Sequence, residues 1–418
     1  MLFQAVTRTE WFPFMKRVAL LAWLLTSLLL PRLGYGYPPL QLYVSLTPSG
    51  GVLKPEPGIY SGPVVIDRPM TLDGDGKVTL DGGGEGTVLQ IKSDGVKVRG
   101  LRITHSGESH DQVDAGILLD GANNSLIEDN QLDDVLFGIH LKKAYDNRVR
   151  ANRITSKPTE PTLRGEGIRL WYSSDNRIEE NRIERVRDLV FTNSPDNQIL
   201  GNRITDSRVA MEFVFSPGNR VEGNEIEGNA TGIVVIYSPD LVIKGNHLRH
   251  LRNFASTALA VKESSKVVIE GNEILHCAVG LTANSPIHPE NVFYLRDNHF
   301  AYNDIGLYFY GEKGGHLIHG NHFEENLQPV AVSGPTSAFL HDWRGNRWDD
   351  YQGFDRDGNG TGDQPHEVYL FADRLWMDRP MARFFRASPP LEFLDFIERL
   401  APFSKPDLIL RDPAPRMR

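Results

Sequence analysis

Along most of the chain an asparagine recurs, followed two places later by an apolar residue. The series reads Asn130-Leu132, Asn152-Ile154, Asn181-Ile183, Asn202-Ile204, Asn224-Ile226, Asn246-Leu248, Asn272-Ile274, Asn298-Phe300, Asn321-Phe323 and Asn346-Trp348, a mean period of 24 residues. Three places before most of these asparagines lies another aliphatic residue, such as Ile127, Val149, Ile178 and Ile199. Later in each period comes a third apolar segment, often led by glycine, as in Gly138-Ile139-His140-Leu141 and Gly232-Ile233-Val234-Val235. Apolar and polar residues alternate in all three segments, as half-buried strands require. A regular period of this size signals a stack of coils in which each coil buries its apolar face only against its neighbours. Frequent glycine, asparagine and β-branched residues speak against a helical solenoid.

Three short parallel strands per period predict an all-β fold, a right-handed parallel β-helix. Asparagine suits its corners, because it tolerates left-handed backbone and its amide can bond to the amide one coil away. A second column supports this stacking: Asn229, Asn303 and Asn326 lie five places after their motif asparagines, and Cys277 falls in the same slot. Residues 44 to 104 carry the first coils, with Val64-Val65-Ile66, Met70-Thr71-Leu72 and Val96-Lys97-Val98 alternating between turns.

Stacking the periods also assigns outward positions. In the glycine-led strand the first outward set is His140, Arg169, Phe191, Glu212, Val234, Ala260, Thr282, Tyr308 and Ala331. Glu212 stands alone there, and Asp133-Asp134 falls at a corner. The paired carboxylates that glycoside cleavage needs are therefore not predicted, and the reading is that of a protein that is not an enzyme. Phe191, Val214, Val234 and Ile236 are predicted to lie outward on adjacent coils, where contiguous apolar side chains mark a contact surface. Five histidines, His299, His316, His319, His322 and His341, fall within 43 residues. His299 and His322 share a slot on successive coils, and His319 lies around the corner. Convergence of these three on a metal is the expectation, with Cu(I) as the ion; imidazole suits copper or zinc. The alternative is an ordinary polar surface. His316 and His341 form a separate column.

The ends carry other signals. Met15-Lys16-Arg17 precedes a 13-residue apolar run, Val18 to Leu30, and then Gly34-Tyr35-Gly36. Thirteen residues are short for a membrane span of about 20 and suit a signal peptide, so residues 1–36 are read as a leader with Met1 or Met15 as start. An uncleaved anchor is the alternative. With one cysteine no intrachain disulfide forms, which for an exported protein points to a bacterial periplasm. Net charge is −9 with both signs interspersed, an argument against nucleic-acid binding. Residues 37–350 form the β-helix and 351–418 a C-terminal region. There Asp355, Asp357, Asn359 and Asp363 alternate with glycines in the manner of a calcium loop, though His366 stands where the usual terminal glutamate would be. A plain Asp/Gly turn is the alternative. A tail helix is predicted over Ser388 to Phe403, with Leu391, Leu394, Ile397 and Leu400 as its stripe, widened by Phe393 and Phe396. It reads as a cap over the last coil, or as a docking helix for a partner.

The N-x-I coils, the leader, the segment Gly345-Asn346-Arg347-Trp348-Asp349-Asp350-Tyr351 and the Asp/Gly run after it resemble the NosD family. The resemblance runs from about Val44 to the C-terminus. It implies a periplasmic accessory protein of an ABC transporter that works with a copper chaperone in supplying copper to nitrous oxide reductase, and that meets the membrane only through partners. The family's Met-Tyr-Ser segments read here Trp171-Tyr172-Ser173, Val214-Phe215-Ser216 and Ile236-Tyr237-Ser238, without the methionine. The rival reading is a polysaccharide-binding or -cleaving β-helix protein.

Overall fold

The structure, a computed structural model, describes residues 36–253, 256–285, 287–311, 313–333, 337–370, 389, 393, 396, 397, 400 and 407–417. The expected leader lies outside the described residues, as does most of the expected tail helix. The chain coils into a parallel β-solenoid of about 13 turns. Each coil contributes a strand to three columns, which pair in parallel from coil to coil. The first aligns Ile127, Val149 and Ile178, the second Leu132, Ile154 and Ile183, and the third Ile139, Ile168 and Leu189. The third column is a 12-stranded sheet. All nine of these side chains are buried, so the core is one continuous aliphatic stack along the solenoid axis. At roughly 1.5–3 kcal/mol for each buried aliphatic side chain, no coil gains this stabilisation without a neighbour.

The motif asparagines hold the coils in register. Each is buried, and from Asn152 onward its Oδ1 accepts the backbone N–H of the asparagine one coil earlier, at 3.0 Å from Asn181 to Asn202 and 2.8 Å from Asn202 to Asn224. Its Nδ2 donates to the next amide oxygen and to a carbonyl one coil back, as Asn202 does to Asn224 and Ile178. The left-handed backbone, expected at these asparagines, sits instead one residue before them. Asp129, Ala151, Glu180, Gly201 and Gly223 have φ between 52° and 64°. That residue turns the chain, which leaves the asparagine side chain pointing inward to bridge coils. The slot shared with Cys277 behaves as expected: Cys277 N–H donates to Asn303 Oδ1 at 2.8 Å, and burial pushes its thiol up to about 12. Two further ladders were not anticipated. Asn147, Asn176, Asn197 and Asn219 form one, and Ser173, Ser194, Ser216, Ser238 and Ser264 another.

Both ends are closed. A seven-residue helix, Leu40–Leu46, buries Leu40 and Val44 against the first coils. The periodicity of the sequence does not predict it; two apolar contacts in seven residues leave too faint a period to detect. At the far end Trp343 and Trp348 cover the core, and Trp348 stacks on Phe323 at 4.4 Å. The strand Asp407–Asp412 pairs antiparallel with His366–Leu370 and brings Asp412 to the end of the asparagine ladder. Its Oδ2 accepts from Asn346 N and Nδ2 at 3.0 and 2.9 Å and from Trp348 Nε1 at 3.2 Å. A carboxylate accepts without donating, so it terminates a ladder that another asparagine would extend. Of the expected tail helix, Pro389, Phe393, Phe396, Ile397 and Leu400 are described and helical. Phe393, Phe396 and Leu400 are 63%, 57% and 70% exposed.

Candidate metal centre

The second strand of each coil begins one residue after its asparagine, and the side chain at that slot points outward. From coil to coil the slot holds Glu225, His247, Glu273, His299, His322 and Arg347. Parallel pairing at strand spacing stacks the His299 and His322 rings at 4.6 Å and 5°. Glu324 lies two residues after His322 and shares its face. Its Oε2 is 2.8 Å from His299 Nε2, and its Oε1 accepts from Tyr302 Oη at 3.4 Å. One donor atom from each of His299, His322 and Glu324 comes within 4.8 Å of the others, the one such group among the described residues. All three side chains are half-buried. The hydrogen bond from His299 holds the Glu324 carboxyl below the usual range, and burial lowers the His322 imidazole. Two stacked imidazoles and a carboxylate offer the nitrogen and oxygen donors that suit a divalent ion.

Of the three predicted ligands, His299 and His322 meet and His319 does not. The Asn321 corner separates His319 from His322, and His319 Nε2 lies 3.2 Å from Asp342 instead. Glu324 takes the third place. Its outward parity with His322 was legible, since residues two apart on a strand share a face. The carboxylate also changes the chemistry. An imidazole and carboxylate set suits Cu(II) or Zn(II), while Cu(I) favours thiolate and thioether, and Met70 and Met211 lie buried in the core. His316 and His341 form the separate column expected, but inside the fold. Their Nδ1 atoms accept the backbone N–H groups of Phe293 and His316 at 3.3 and 3.4 Å, in the manner of a ladder asparagine. Burial lowers the His316 imidazole to about 3.

The calcium candidates turn their oxygens toward their own loop. Asp355 accepts from the N–H groups of Gly358 and Gly360 at 2.8 Å each, and Asp363 from Arg356 at 2.9 Å. Asn359 Oδ1 accepts from Thr361, and Asn359 Nδ2 donates to Asp357. The three aspartates do not converge as the histidine group does.

The outer face of the third column departs from the expectation at one coil. Asp188 occupies the slot of the leading glycine, and the pairing shifts between Asp188 and Val190. Phe191 pairs in register with the buried Leu170, so it turns inward and stacks on Phe213 at 4.5 Å, while Val190, opposite Arg169, takes the outward place. Val190, Val214, Val234 and Ile236 are half-buried on this face. Nor does Glu212 stand alone. Burial raises its carboxyl, and the charges of Asp188 and Glu166 raise it further. The sequence reading missed these two because Glu166 precedes its strand and Asp188 stands in the slot of the leading glycine, outside the outward positions compared.

Comparison with known proteins agrees with the fold and places the chain among relatives. Residues 156–353 match the family described as "Periplasmic copper-binding protein (NosD)", and residues 77–194 match "Right handed beta helix region". A protein of Pseudomonas aeruginosa named "Probable ABC transporter binding protein NosD" is 34% identical over 86% of this chain and 87% of its own length. A protein of the same name from Stutzerimonas stutzeri is 31% identical over 83% of each chain. Among solved structures, the catalytic domain of a GH87 alpha-1,3-glucanase in complex with nigerose superposes with a TM-score of 0.56 at 13% identity. It covers 70% of this chain and 64% of the other, a likeness of fold alone.

Proposed function

The chain belongs to the NosD family, and from that membership we propose that it serves in the periplasm as a non-enzymatic, copper-handling accessory protein of an ABC transporter. Its cargo pathway ends in the maturation of nitrous oxide reductase, with a copper chaperone as the donor. The observation that carries the reading is the likeness, over 86% and 83% of this chain, to two relatives named as probable transporter binding proteins. The described residues contain no helix long and apolar enough to cross a membrane.

The site supports the copper part of this reading by its chemistry. His299, His322 and Glu324 are the residues that would hold the ion, on an outer face reachable by another protein. Half-exposure suits a transfer site, because a buried ion could not pass to an acceptor. The hydrogen bond between His299 and Glu324 orients one imidazole, as partner groups of metal-binding histidines commonly do. Here the carboxylate is close enough to act as ligand or as orienter. The four residues of the Asp355 loop would hold calcium only if their oxygens gave up the backbone hydrogen bonds they now accept.

Transporter association is tested by capture. A tagged chain, expressed in a denitrifying host and extracted in mild detergent, should bring down the membrane subunits of a transporter. Capture of none, with the tagged chain intact and exported, would overturn the proposal.

A further inference from the structure

The outer face that carries His299 and His322 continues along the solenoid, and its other half is basic. The slot one residue after the motif asparagine holds Arg153, Arg182 and Arg203 on three successive coils, each directly opposite the next in the strand register. All three are exposed. From Arg182 the same slot runs through Arg203, Glu225, His247 and Glu273 to His299. At about 4.8 Å for each coil, Arg182 and His299 lie roughly 24 Å apart on one face.

Arginines elsewhere on these columns mostly have a carboxylate partner. On the first column Glu179 pairs with both Arg148 and Arg177, and Glu180 with Arg150. On the second, Asp133 pairs with Arg102, Glu225 and Glu227 with Arg203, and Glu273 with Arg249. Arg153 and Arg182 depart from this. Among the described residues neither guanidinium has an ion pair or a hydrogen bond. Glu184, which shares the face of Arg182, bonds to Arg185 at 3.2 Å instead. Opposite Arg153 on the preceding coil stands the neutral Gln131, itself bonded to Asp133. Like charges opposite one another across a strand pair repel. Two uncompensated guanidiniums one coil apart therefore carry a cost that a bound counter-charge removes.

We propose that this face docks a protein through an acidic segment laid over Arg153 and Arg182, and that the same docked protein reaches His299 and His322. An ordinary protein contact covers about 800 Å² on each partner, a patch roughly 28 Å across, so one footprint holds both the arginines and the imidazoles. Carboxylates fit the row because a guanidinium takes one through two parallel N–H donors. A small free anion finds less there. The backbone N–H groups of Arg153 and Arg182 are taken up by carbonyls one coil back, so only solvated side chains face it. A segment bearing several carboxylates engages both arginines at once. The net charge of −9 decides between an acidic segment and a broad anionic surface. The rest of the molecule repels a membrane or a nucleic acid, while a local acidic segment is steered to the uncompensated row and oriented by it.

The inference rests on the copper reading for what the docking serves, and its test separates the two. The exported chain is titrated with an acetylated decapeptide of alternating glutamate and alanine, with inorganic phosphate, and with vesicles containing phosphatidylglycerol. At about 10 mM ionic strength the peptide should bind with a Kd below about 1 mM, and binding should weaken at least about tenfold toward 0.2 M salt. Arg153→Gln combined with Arg182→Gln should weaken it by about tenfold or more. Arg99→Gln combined with Arg220→Gln removes the same charge from arginines that already have partners, and should change the affinity less than about threefold. Circular dichroism shows that each variant is folded. Cu(II) titration of the same samples reports the metal centre separately: peptide binding that follows the arginine row without any Cu(II) binding would uphold this inference and fail the copper reading. No binding of the peptide, an equal loss in the control variant, or binding of phosphate or vesicles by the row in place of the peptide would overturn the proposal.

Discussion

Asn224 sits in the middle of the asparagine ladder, and its removal tests whether that ladder carries the fold. Its Oδ1 accepts Asn202 N and Nδ2 at 2.8 and 3.0 Å, and its Nδ2 donates to Ile199 O and Asn246 Oδ1 at 2.9 Å each. Asn224→Ala leaves the buried Asn202 N–H without its acceptor. It also deprives the Ile199 carbonyl of a donor and breaks the amide chain on both sides. An orphaned buried group costs about 1–3 kcal/mol, and a bond lost between groups with other partners costs about 1 kcal/mol. Together the expected loss is roughly 3–5 kcal/mol. The neighbouring Glu225→Ala, exposed, should fall within about 0.5 kcal/mol of the unaltered chain. Urea unfolding of the exported chain measures both, with the slope checked for each variant because a solenoid can open coil by coil. Amide exchange at Asn202 reads the orphaned group directly. A loss under about 1 kcal/mol with an unchanged slope would refute the reasoning and move register control to the aliphatic core.

Two further predictions concern the histidines. At the metal centre, Glu324→Gln should weaken Cu(II) binding at least tenfold and leave any Cu(I) binding nearly unchanged, as competitive titration of each ion would show; equal effects on both ions would remove the carboxylate from the ligand set. His316 is held neutral by burial at about 3, against an ordinary 6.5 in the unfolded chain. Between those values the unfolded chain binds the extra proton, so stability is intact above about pH 6.5 and falls toward pH 3, by at most about 1.4 kcal/mol per pH unit from this group. His316→Asn keeps an acceptor in the slot without a titrating ring. Its urea midpoint should drop less between pH 6.5 and 4.5 than that of the unaltered chain, and parallel curves would show that His316 does not carry the effect.

The period and the inward parity of its apolar residues were enough to specify coils, columns and core. This is because a solenoid repeats one local environment, and a residue's slot in the period decides whether it is buried. The histidine pair was legible for the same reason, since His299 and His322 fall in one slot on successive coils. Tertiary structure decided what depends on departures from the repeat. Glu324 joined the histidine pair and His319 stands apart from it because a corner redirects side chains that are neighbours in sequence. Pairing with the strand Ile168–Trp171 set the register of the next coil, and so put Val190 rather than Phe191 on the surface. Asp412, 66 residues from Asn346, closes the ladder by a contact that no period encodes. Spacing thus determined the scaffold, because every coil meets the same neighbours. The sites were decided by the corners, loops and ends, where each coil meets something different.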